Sequence, residues 1–157
     1  VSSGMVLNNQ LTDFSFFPIF KGKPIANRIR ANKRPMSSMT PVIVFRNNHP
    51  VMALGSPGGW LIPHFVSAAL IRALDQQLSP TEVVSSAHIS VKPNKTRIEK
   101  GGKWEQPESI IRENLKNFGH QIEFINFSSG LALIQWNNGN WHGAADPRRE
   151  GKAVGVH

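Results

Sequence analysis

The chain has 157 residues, of which 39% are hydrophobic and 18% are charged. This length is enough to bury one core, and this composition excludes wholesale disorder. The absence of cysteine excludes disulfides, a thiolate metal site and a cysteine nucleophile. The net charge of +8 favours an anionic partner, whereas no apolar run approaches the roughly 18 residues of a membrane-spanning helix, so we expect no membrane partner.

The first third of the chain contains a long basic segment. A short strand is predicted at 5–7. Residues 15–33 show neither helical nor strand periodicity, and loops of this length are uncommon in compact domains unless they are functional or mobile. Lysines and arginines cluster at 21–34, without an aromatic side chain on which a base could stack. We therefore expect no nucleic-acid partner and interpret this block as a loop facing an acidic small molecule or a neighbouring subunit.

Strands and helices alternate over the rest of the chain. Apolar residues at three- and four-residue spacing predict a helix over 60–77, and the capping box "SPTE" (79–82) begins a second, shorter helix. A third helix begins near Pro107 and ends at Gly119. The sequence therefore predicts one α+β domain over 1–157 with mainly antiparallel sheets. The predicted strands lie at 42–46, 51–54 and 96–99, followed by a hairpin of "QIEFIN", "LALIQW" and the segment after "NNGN".

Two adjacent glycines, Gly58 and Gly59, separate the strand at 51–54 from the helix at 60–77. One interpretation is a plain strand-to-helix turn in which both glycines adopt positive φ. The other is a cradle for negative charge, because backbone N–H groups near a helix start attract anions. An oxyanion hole is built in this way. The segment lacks the spacing and the lysine of a phosphate-binding loop.

Four segments together resemble one enzyme family: "LNNQLTDF" (7–14), "NKRPMSSMTP" (32–41), "GSPGG" (55–59) and "GAADPR" (143–148). In this order they resemble the small subunit of gamma-glutamyltransferase, also called gamma-glutamyltranspeptidase or glutathione hydrolase. The resemblance implies an N-terminal-nucleophile hydrolase αββα sandwich, here incomplete at its N-terminus. It also implies a self-cleaving precursor whose freed N-terminal threonine attacks the gamma-glutamyl amide of glutathione. The acyl group then passes to water or to an amino-acid or peptide acceptor.

The resemblance implies roles for six residues. From the residues alone, Ser37 and Ser38 are interpreted as a strand-entry turn and Asp13 as a solvated or capping carboxylate. The implied chemistry is coherent, because fixing both ends of a zwitterionic head group aims the distant amide at the nucleophile. By resemblance, Gly58 and Gly59 form the oxyanion hole, Ser37 and Ser38 bind the substrate α-carboxylate, and Gln10 and Asp13 bind its α-ammonium.

The nucleophile of the family is expected outside these 157 residues. The four threonines are internal, so none has the free α-amine that would act as a base to its own hydroxyl. We therefore expect this chain to be a C-terminal part of the small subunit, inactive alone and partnered by the large subunit of the same precursor. A cloned fragment, one piece of a heterodimer and the ordered remainder of a longer chain all stay open. Without the leading strands, an exposed sheet edge predicts self-association of the isolated chain.

Several further residues carry expectations. Trp60 stands where the family has a small polar residue, and it either walls the pocket or packs beneath it. Segment 15–33 takes the place of the family's lid. The chain has no tyrosine to gate it, and its basic residues either favour acidic acceptors and longer gamma-glutamyl chains or are simply solvated. His64 is interpreted as a packed side chain, and Asp146 with Arg148 as an internal ion pair. The histidines show no metal-ligand spacing, so we expect no metal and no cofactor.

Two other functions stay open. One is cephalosporin acylase or polyglutamate depolymerase chemistry on the same scaffold, because head-group residues discriminate acyl chains poorly. The other is a non-catalytic basic binding or assembly module. An upstream threonine that begins a strand would favour the enzyme, whereas a start codon near Val1 would favour the module. The resemblance also implies a periplasmic or extracellular location.

Overall fold

The chain divides into two compact units, Val1–Ser38 and Met39–His157, and each is described by itself. The prediction of one domain over the whole sequence stays a prediction. The predicted strand at 5–7 lies outside the described residues. The computed structural model describes residue 4 and the ranges 8–92, 95–102 and 107–155.

The first unit contains a small hairpin inside the segment predicted to be an unstructured loop. Strands β1 (Ile19–Phe20) and β2 (Lys23–Pro24) pair antiparallel. The hairpin forms because Lys21 and Gly22 take φ angles of 48° and 74°, and positive φ at both central residues matches the twist of paired strands. A 3₁₀ turn over Gln10–Asp13 precedes it.

The described part of the second unit contains two sheets and three α-helices. A four-stranded antiparallel sheet has the order β3-β4-β8-β9, and a three-stranded sheet has the order β5-β6-β7. The predicted class, α+β with mainly antiparallel sheets, is therefore confirmed. The elements are β3 (Val42–Arg46), β4 (His49–Gly55), α1 (Ile62–Leu74), α2 (Pro80–Ser85), β5 (Ile89–Lys92), β6 (Lys95–Glu99), α3 (Glu108–Asn117), β7 (Ile122–Ile125), β8 (Ala132–Asn137) and β9 (Asn140–Ala145).

One strand assignment is wrong. The segment "QIEFIN" was expected to join the last hairpin, but β7 pairs parallel with β6 in the other sheet. Parallel neighbours need a crossover connection, and α3 between β6 and β7 provides it. The hairpin of β8 and β9 is confirmed, and β5 is a strand that the sequence pattern did not predict.

The core lies between helix α1 and one face of the four-stranded sheet. The predicted helix over 60–77 is confirmed with tighter bounds, since a 3₁₀ turn occupies Gly59–Leu61 and Gln77 has a φ of 55°. The predicted capping box of α2 is also confirmed: the Ser79 N–H donates to Glu82 Oε2 at 2.8 Å. No helix in the described ranges is long and apolar enough to cross a bilayer. The main core residues are Met52, Leu54, Ile62, Val66, Ala69, Val83, Val84, Leu131 and Leu133.

Candidate active site

Gly58 and Gly59 form the turn between strand β4 and helix α1. Gly58 has a φ of 143° and Gly59 a φ of 57°, values that side-chain-bearing residues rarely adopt. A Cβ atom on Gly58 would lie 2.9 Å from Phe65 Cε2, so the turn packs directly on the helix. A Cβ atom on Gly59 would meet nothing within 4 Å. The first glycine is thus required by close packing and by backbone conformation, and the second by backbone conformation alone.

The amide N–H groups of these two glycines have no acceptor among the described residues. The Gly58 carbonyl accepts from the Leu61 N–H at 3.2 Å, but no hydrogen bond among the described residues uses the Gly58 or Gly59 N–H. The first N–H groups of a helix have no acceptor within the helix. Gly58 is half-buried and Gly59 is exposed, so two neighbouring donors remain at the start of α1.

The first unit brings together two of the predicted head-group residues. Gln10 Nε2 donates to Ser37 Oγ at 3.4 Å across 27 positions of sequence. Asp13 ends the 3₁₀ turn with an exposed side chain, and Ser38 is half-buried. Gly58 and Gly59 belong to the second unit.

Asn27 connects the two segments that carry these head-group residues. Its Nδ2 donates to the Asp13 carbonyl at 2.6 Å, and its Oδ1 accepts from the Met36 N–H at 3.0 Å. The Asn27 carbonyl also accepts from the Ser15 N–H at 2.9 Å. The sequence analysis did not single out Asn27. One sequence feature could have indicated Asn27: its carboxamide can both donate and accept hydrogen bonds, and it lies inside a long loop that must be held in place.

A buried ionic network lies in the second unit. The predicted pair of Asp146 and Arg148 is confirmed, with Arg148 Nη1 2.9 Å from Asp146 Oδ1. The same guanidinium contacts both carboxylate oxygens of Glu99 at 2.6 Å, a bidentate pair that the sequence analysis missed. Asp146 Oδ2 also accepts from the Leu131 N–H at 3.2 Å. The network therefore ties β6 to the segment that follows β9.

Burial and hydrogen bonding oppose each other in the two carboxyl groups. Burial alone would raise the pKa of Glu99, but hydrogen bonds from Arg148 and from the His88 backbone N–H outweigh it and hold the pKa below its usual value. Burial would likewise raise the pKa of Asp146, and the hydrogen bonds from Arg148 and Leu131 lower it instead. Both groups are therefore charged near neutral pH.

His88 is a fully buried neighbour of this network. Its ring centroid lies 4.3 Å from that of Phe65 and 6.0 Å from that of Phe127, and its Nε2 lies 3.6 Å from Asp146 Oδ2. Burial first, and then the positive charge of Arg148, lower its pKa from 6.5 to about 4. His88 is thus a neutral aromatic side chain, stacked on the phenylalanine that supports Gly58.

Trp60 extends from the turn immediately after the glycine pair. Lys92 Nζ lies 4.1 Å from the Trp60 ring centroid, and the His64 ring meets the indole edge-on at 6.2 Å. The indole is nevertheless 44% exposed. His64 is half-buried against this ring, in agreement with its interpretation as a packed side chain.

An open cavity of about 630 Å³ lies in the second unit, along segments 128–132 and 145–151. None of the predicted site residues lines it. Among the described residues, no group of three or more histidine, aspartate or glutamate side chains is placed to hold a metal ion.

Comparison with known proteins identifies the family. The family profile described as Gamma-glutamyltranspeptidase matches residues 1–156. The chain belongs to this family. It is 32% identical over 160 residues to the glutathione hydrolase proenzyme of Bacillus subtilis (strain 168), covering 98% of this chain and 25% of the relative. It is also 32% identical over 157 residues to the glutathione hydrolase proenzyme of Escherichia coli (strain K12), covering 93% of this chain and 26% of that protein.

A solved structure of the family confirms the fold. The crystal structure of a Helicobacter pylori gamma-glutamyltranspeptidase mutant matches with a TM-score of 0.75 and 35% identity, covering 94% of this chain and 83% of that chain. The chain therefore has the N-terminal-nucleophile hydrolase fold of a gamma-glutamyltranspeptidase. It spans about a quarter of the length of the curated relatives it matches.

Proposed function

We propose that this chain supplies the oxyanion hole and the gamma-glutamyl head-group site of an enzyme acting on glutathione and related gamma-glutamyl amides. The observation that carries the proposal is the pair of adjacent glycine N–H groups at the start of α1, which no described residue accepts from. Membership of the gamma-glutamyltranspeptidase family supports the substrate class. The large subunit of the same precursor is the proposed partner.

Acylation is the first proposed chemical step. An N-terminal threonine outside these residues attacks the gamma-carbonyl carbon, and its own α-amine takes the hydroxyl proton. The carbonyl oxygen becomes an oxyanion and accepts hydrogen bonds from the N–H groups of Gly58 and Gly59. One such donor is worth about 3 kcal/mol in the transition state. The C–N bond then breaks, the leaving amine takes that proton from the threonine α-amine, and the acyl group finally passes from the threonine oxygen to water or to an amino-acid or peptide acceptor.

The head-group site fixes the other end of the substrate. The Asp13 carboxylate accepts from the α-ammonium in a charge-assisted hydrogen bond, and Gln10 provides a second acceptor. The hydroxyl groups of Ser37 and Ser38 donate to the α-carboxylate. The contact of Gln10 with Ser37 and the bridge through Asn27 support this arrangement, because they hold the two segments side by side.

The test is turnover of gamma-glutamyl-4-nitroanilide by the full-length gene product. Loss of a hydrogen bond to a charged group costs about 1.5–3 kcal/mol, so Asp13→Asn is expected to lower kcat/KM by roughly 10- to 150-fold. Asp75→Asn, which changes an exposed carboxylate at the end of α1, serves as the matched control and leaves kcat/KM within twofold.

Two outcomes would contradict the proposal. One is no turnover by a correctly cleaved protein with a free N-terminal threonine. The other is equal behaviour of the two aspartate variants. Cephalosporin acylase or polyglutamate depolymerase activity would appear as turnover of those substrates in preference to the anilide, and a non-catalytic module would turn over none of them.

A further inference from the structure

We propose that three packed aromatic rings, those of Phe65, His88 and Phe127, position the Gly58 N–H to receive the oxyanion. The inference rests on the proposed function, because it takes this N–H as an oxyanion donor. It adds three positioning residues, the ring cluster, which act through Gly58 rather than on the substrate.

The first support is the backbone conformation of Gly58. Its φ of 143° and ψ of 7° lie outside the regions that a side-chain-bearing residue adopts. Glycine has the widest backbone freedom of any residue, so Gly58 does not hold this conformation by itself. The Leu61 N–H, 3.2 Å from the Gly58 oxygen, fixes the following peptide group but not the one that carries the Gly58 N–H. The direction of that N–H is therefore set by what packs against the turn.

The second support is the close contact between the turn and its neighbours. A Cβ atom on Gly58 would lie 2.9 Å from Phe65 Cε2 and 3.2 Å from Phe65 Cδ2, so the ring leaves no room for a carbon atom there. The preceding residue is packed as closely, because a Cβ atom on Gly130 would lie 2.9 Å from Pro57 Cγ. The peptide group between Pro57 and Gly58, which carries the proposed donor, is thus held at both ends.

The third support is the way in which Phe65 itself is held. The His88 ring lies 4.3 Å from the Phe65 ring at an interplanar angle of 35°, and Phe127 meets Phe65 edge-on at 5.5 Å. His88 is fully buried, yet neither ring nitrogen makes a hydrogen bond among the described residues. Asp146 Oδ2 is 3.6 Å from its Nε2, longer than a hydrogen bond. The His88 imidazole therefore contributes through packing, and two neighbours restrict the rotation of Phe65 away from Gly58.

The ring cluster has a defined kinetic consequence. An oxyanion hole works through donors that are in place before the charge develops. A misplacement of about 1 Å can cost roughly 100-fold in rate. Because this donor acts in the transition state, a smaller ring cluster should slow acylation and leave substrate binding by the head-group residues unchanged.

The experiment follows a single turnover of gamma-glutamyl-4-nitroanilide with the full-length enzyme in excess. The amplitude reports the active fraction and the saturating rate constant reports the chemical step, so a misplaced donor is separated from a loss of folded protein. Phe65→Leu should lower the rate constant about 10- to 100-fold and leave the half-saturating enzyme concentration within twofold. His88→Ala should also lower the rate constant, whereas His88→Phe, which keeps a ring against Phe65, should retain it within about threefold.

The matched control is Val66→Ala. Val66 follows Phe65 in α1 and is equally buried, but it packs in the core with Met52 and Leu54. The variant should lower the free energy of unfolding and leave the rate constant within twofold. A loss of rate constant equal to that of Phe65→Leu would overturn the inference, because general destabilisation would then explain both variants.

The remaining outcomes separate this inference from the proposed function. Unchanged rate constants in Phe65→Leu and His88→Ala, together with a loss in Gly59→Ala, would overturn the ring cluster alone. If Phe65→Leu yields no cleaved enzyme, equal rate constants in His88→Ala and His88→Phe would overturn it. Failure of wild type to hydrolyse the anilide would overturn the proposed function and this inference with it.

Discussion

Gly58 and Gly59 both have a positive φ, but only Gly58 is also closely packed, so substitutions at the two positions have different meanings. A side chain on Gly58 would collide with the Phe65 ring, whose Cε2 lies 2.9 Å from the position of a Cβ atom. A side chain on Gly59 would enter open space but would strain a backbone at a φ of 57°. Only Gly59 can therefore be changed to probe the site without disturbing the core beneath it.

The matched prediction compares Gly59→Ala with Gly139→Ala. Gly139, in the turn between β8 and β9, also has a positive φ of 82° and open space at its Cβ position. Each alanine costs roughly 1–2 kcal/mol of backbone strain. Gly59→Ala also moves a proposed oxyanion donor, so kcat should fall at least about 10-fold in the full-length enzyme. Gly139→Ala should leave kcat within twofold, and a similar kcat for both variants would refute the role of Gly59.

Sequence patterns at the residue scale identify what lies close along the chain. The glycine pair and the Asp146–Arg148 pair could be predicted because the members of each pair are close in sequence. Asn27 and Glu99 do not, because each acts through partners that only the folded chain brings near: Arg148 is 49 positions from Glu99. Their importance becomes visible only when burial and hydrogen bonds are known.

At the scale of elements, the four-stranded sheet has two unlike faces. Met52, Leu54 and Leu133 point into the core against α1. On the other face, Ile134 is 47% exposed, and Trp136 and Trp141 pack against each other with centroids 5.5 Å apart while remaining 44% and 47% exposed. A continuous exposed apolar face of this kind favours association.

We predict that the 157-residue chain produced alone self-associates through this face. Trp136→Lys places a charge in the centre of the exposed patch and should lower the weight-average mass measured by light scattering. Phe118→Lys, at the end of α3, replaces another exposed aromatic residue and serves as the control. A concentration-independent monomer, or an equal effect of both variants, would contradict the prediction.

Elements with strong local signals were predicted well. Helix α2 follows from its capping box, and the β3–β4 and β8–β9 hairpins follow from short polar turns between apolar runs. Strand β7 was placed in the wrong sheet because its apolar pattern does not specify a partner. The order β6, α3, β7 is a strand–helix–strand crossover, and this signal could have predicted the parallel pairing. The β1–β2 hairpin was not predicted because strands of two residues are too short to show a period in hydrophobicity.

At the scale of the whole molecule, one guanidinium joins distant parts of the second unit. Besides Glu99 and Asp146, Arg148 donates to the carbonyl oxygens of Val84 and Ser86 at the end of α2, both at 3.0 Å. Removing one partner from a buried ion pair typically costs about 3–5 kcal/mol, because the remaining charge loses its compensation. The network is thus a long-range connection, and long-range contacts of this kind are not visible in local sequence patterns.

The same network predicts how stability depends on pH. His88 has a folded-state pKa of about 4 and an ordinary value of 6.5, so the unfolded chain binds its proton first as the pH falls. The free energy of unfolding should therefore decrease as the pH falls from about 6.5 towards about 4. The lowered pKa values of Glu99 and Asp146 add a further loss as the pH falls through their folded-state values.

Urea unfolding followed by tryptophan fluorescence between pH 7.5 and pH 4.5 measures this slope. His88→Phe keeps an aromatic ring beside Phe65 and Phe127 and should flatten the slope. His49→Phe, at an exposed position in β4, should leave it unchanged. Identical slopes in both variants and wild type would show that His88 does not contribute.

The position of Arg148 late in the sequence has a consequence for synthesis on the ribosome. Glu99 and the end of α2 leave the exit tunnel well before residues 146–149. Until then, the packing that buries Glu99 would leave its carboxylate without its guanidinium, which is strongly unfavourable. We therefore expect the second unit to complete its packing only after Arg148 has left the exit tunnel, and a nascent chain that stops earlier to remain open to chaperones and proteases.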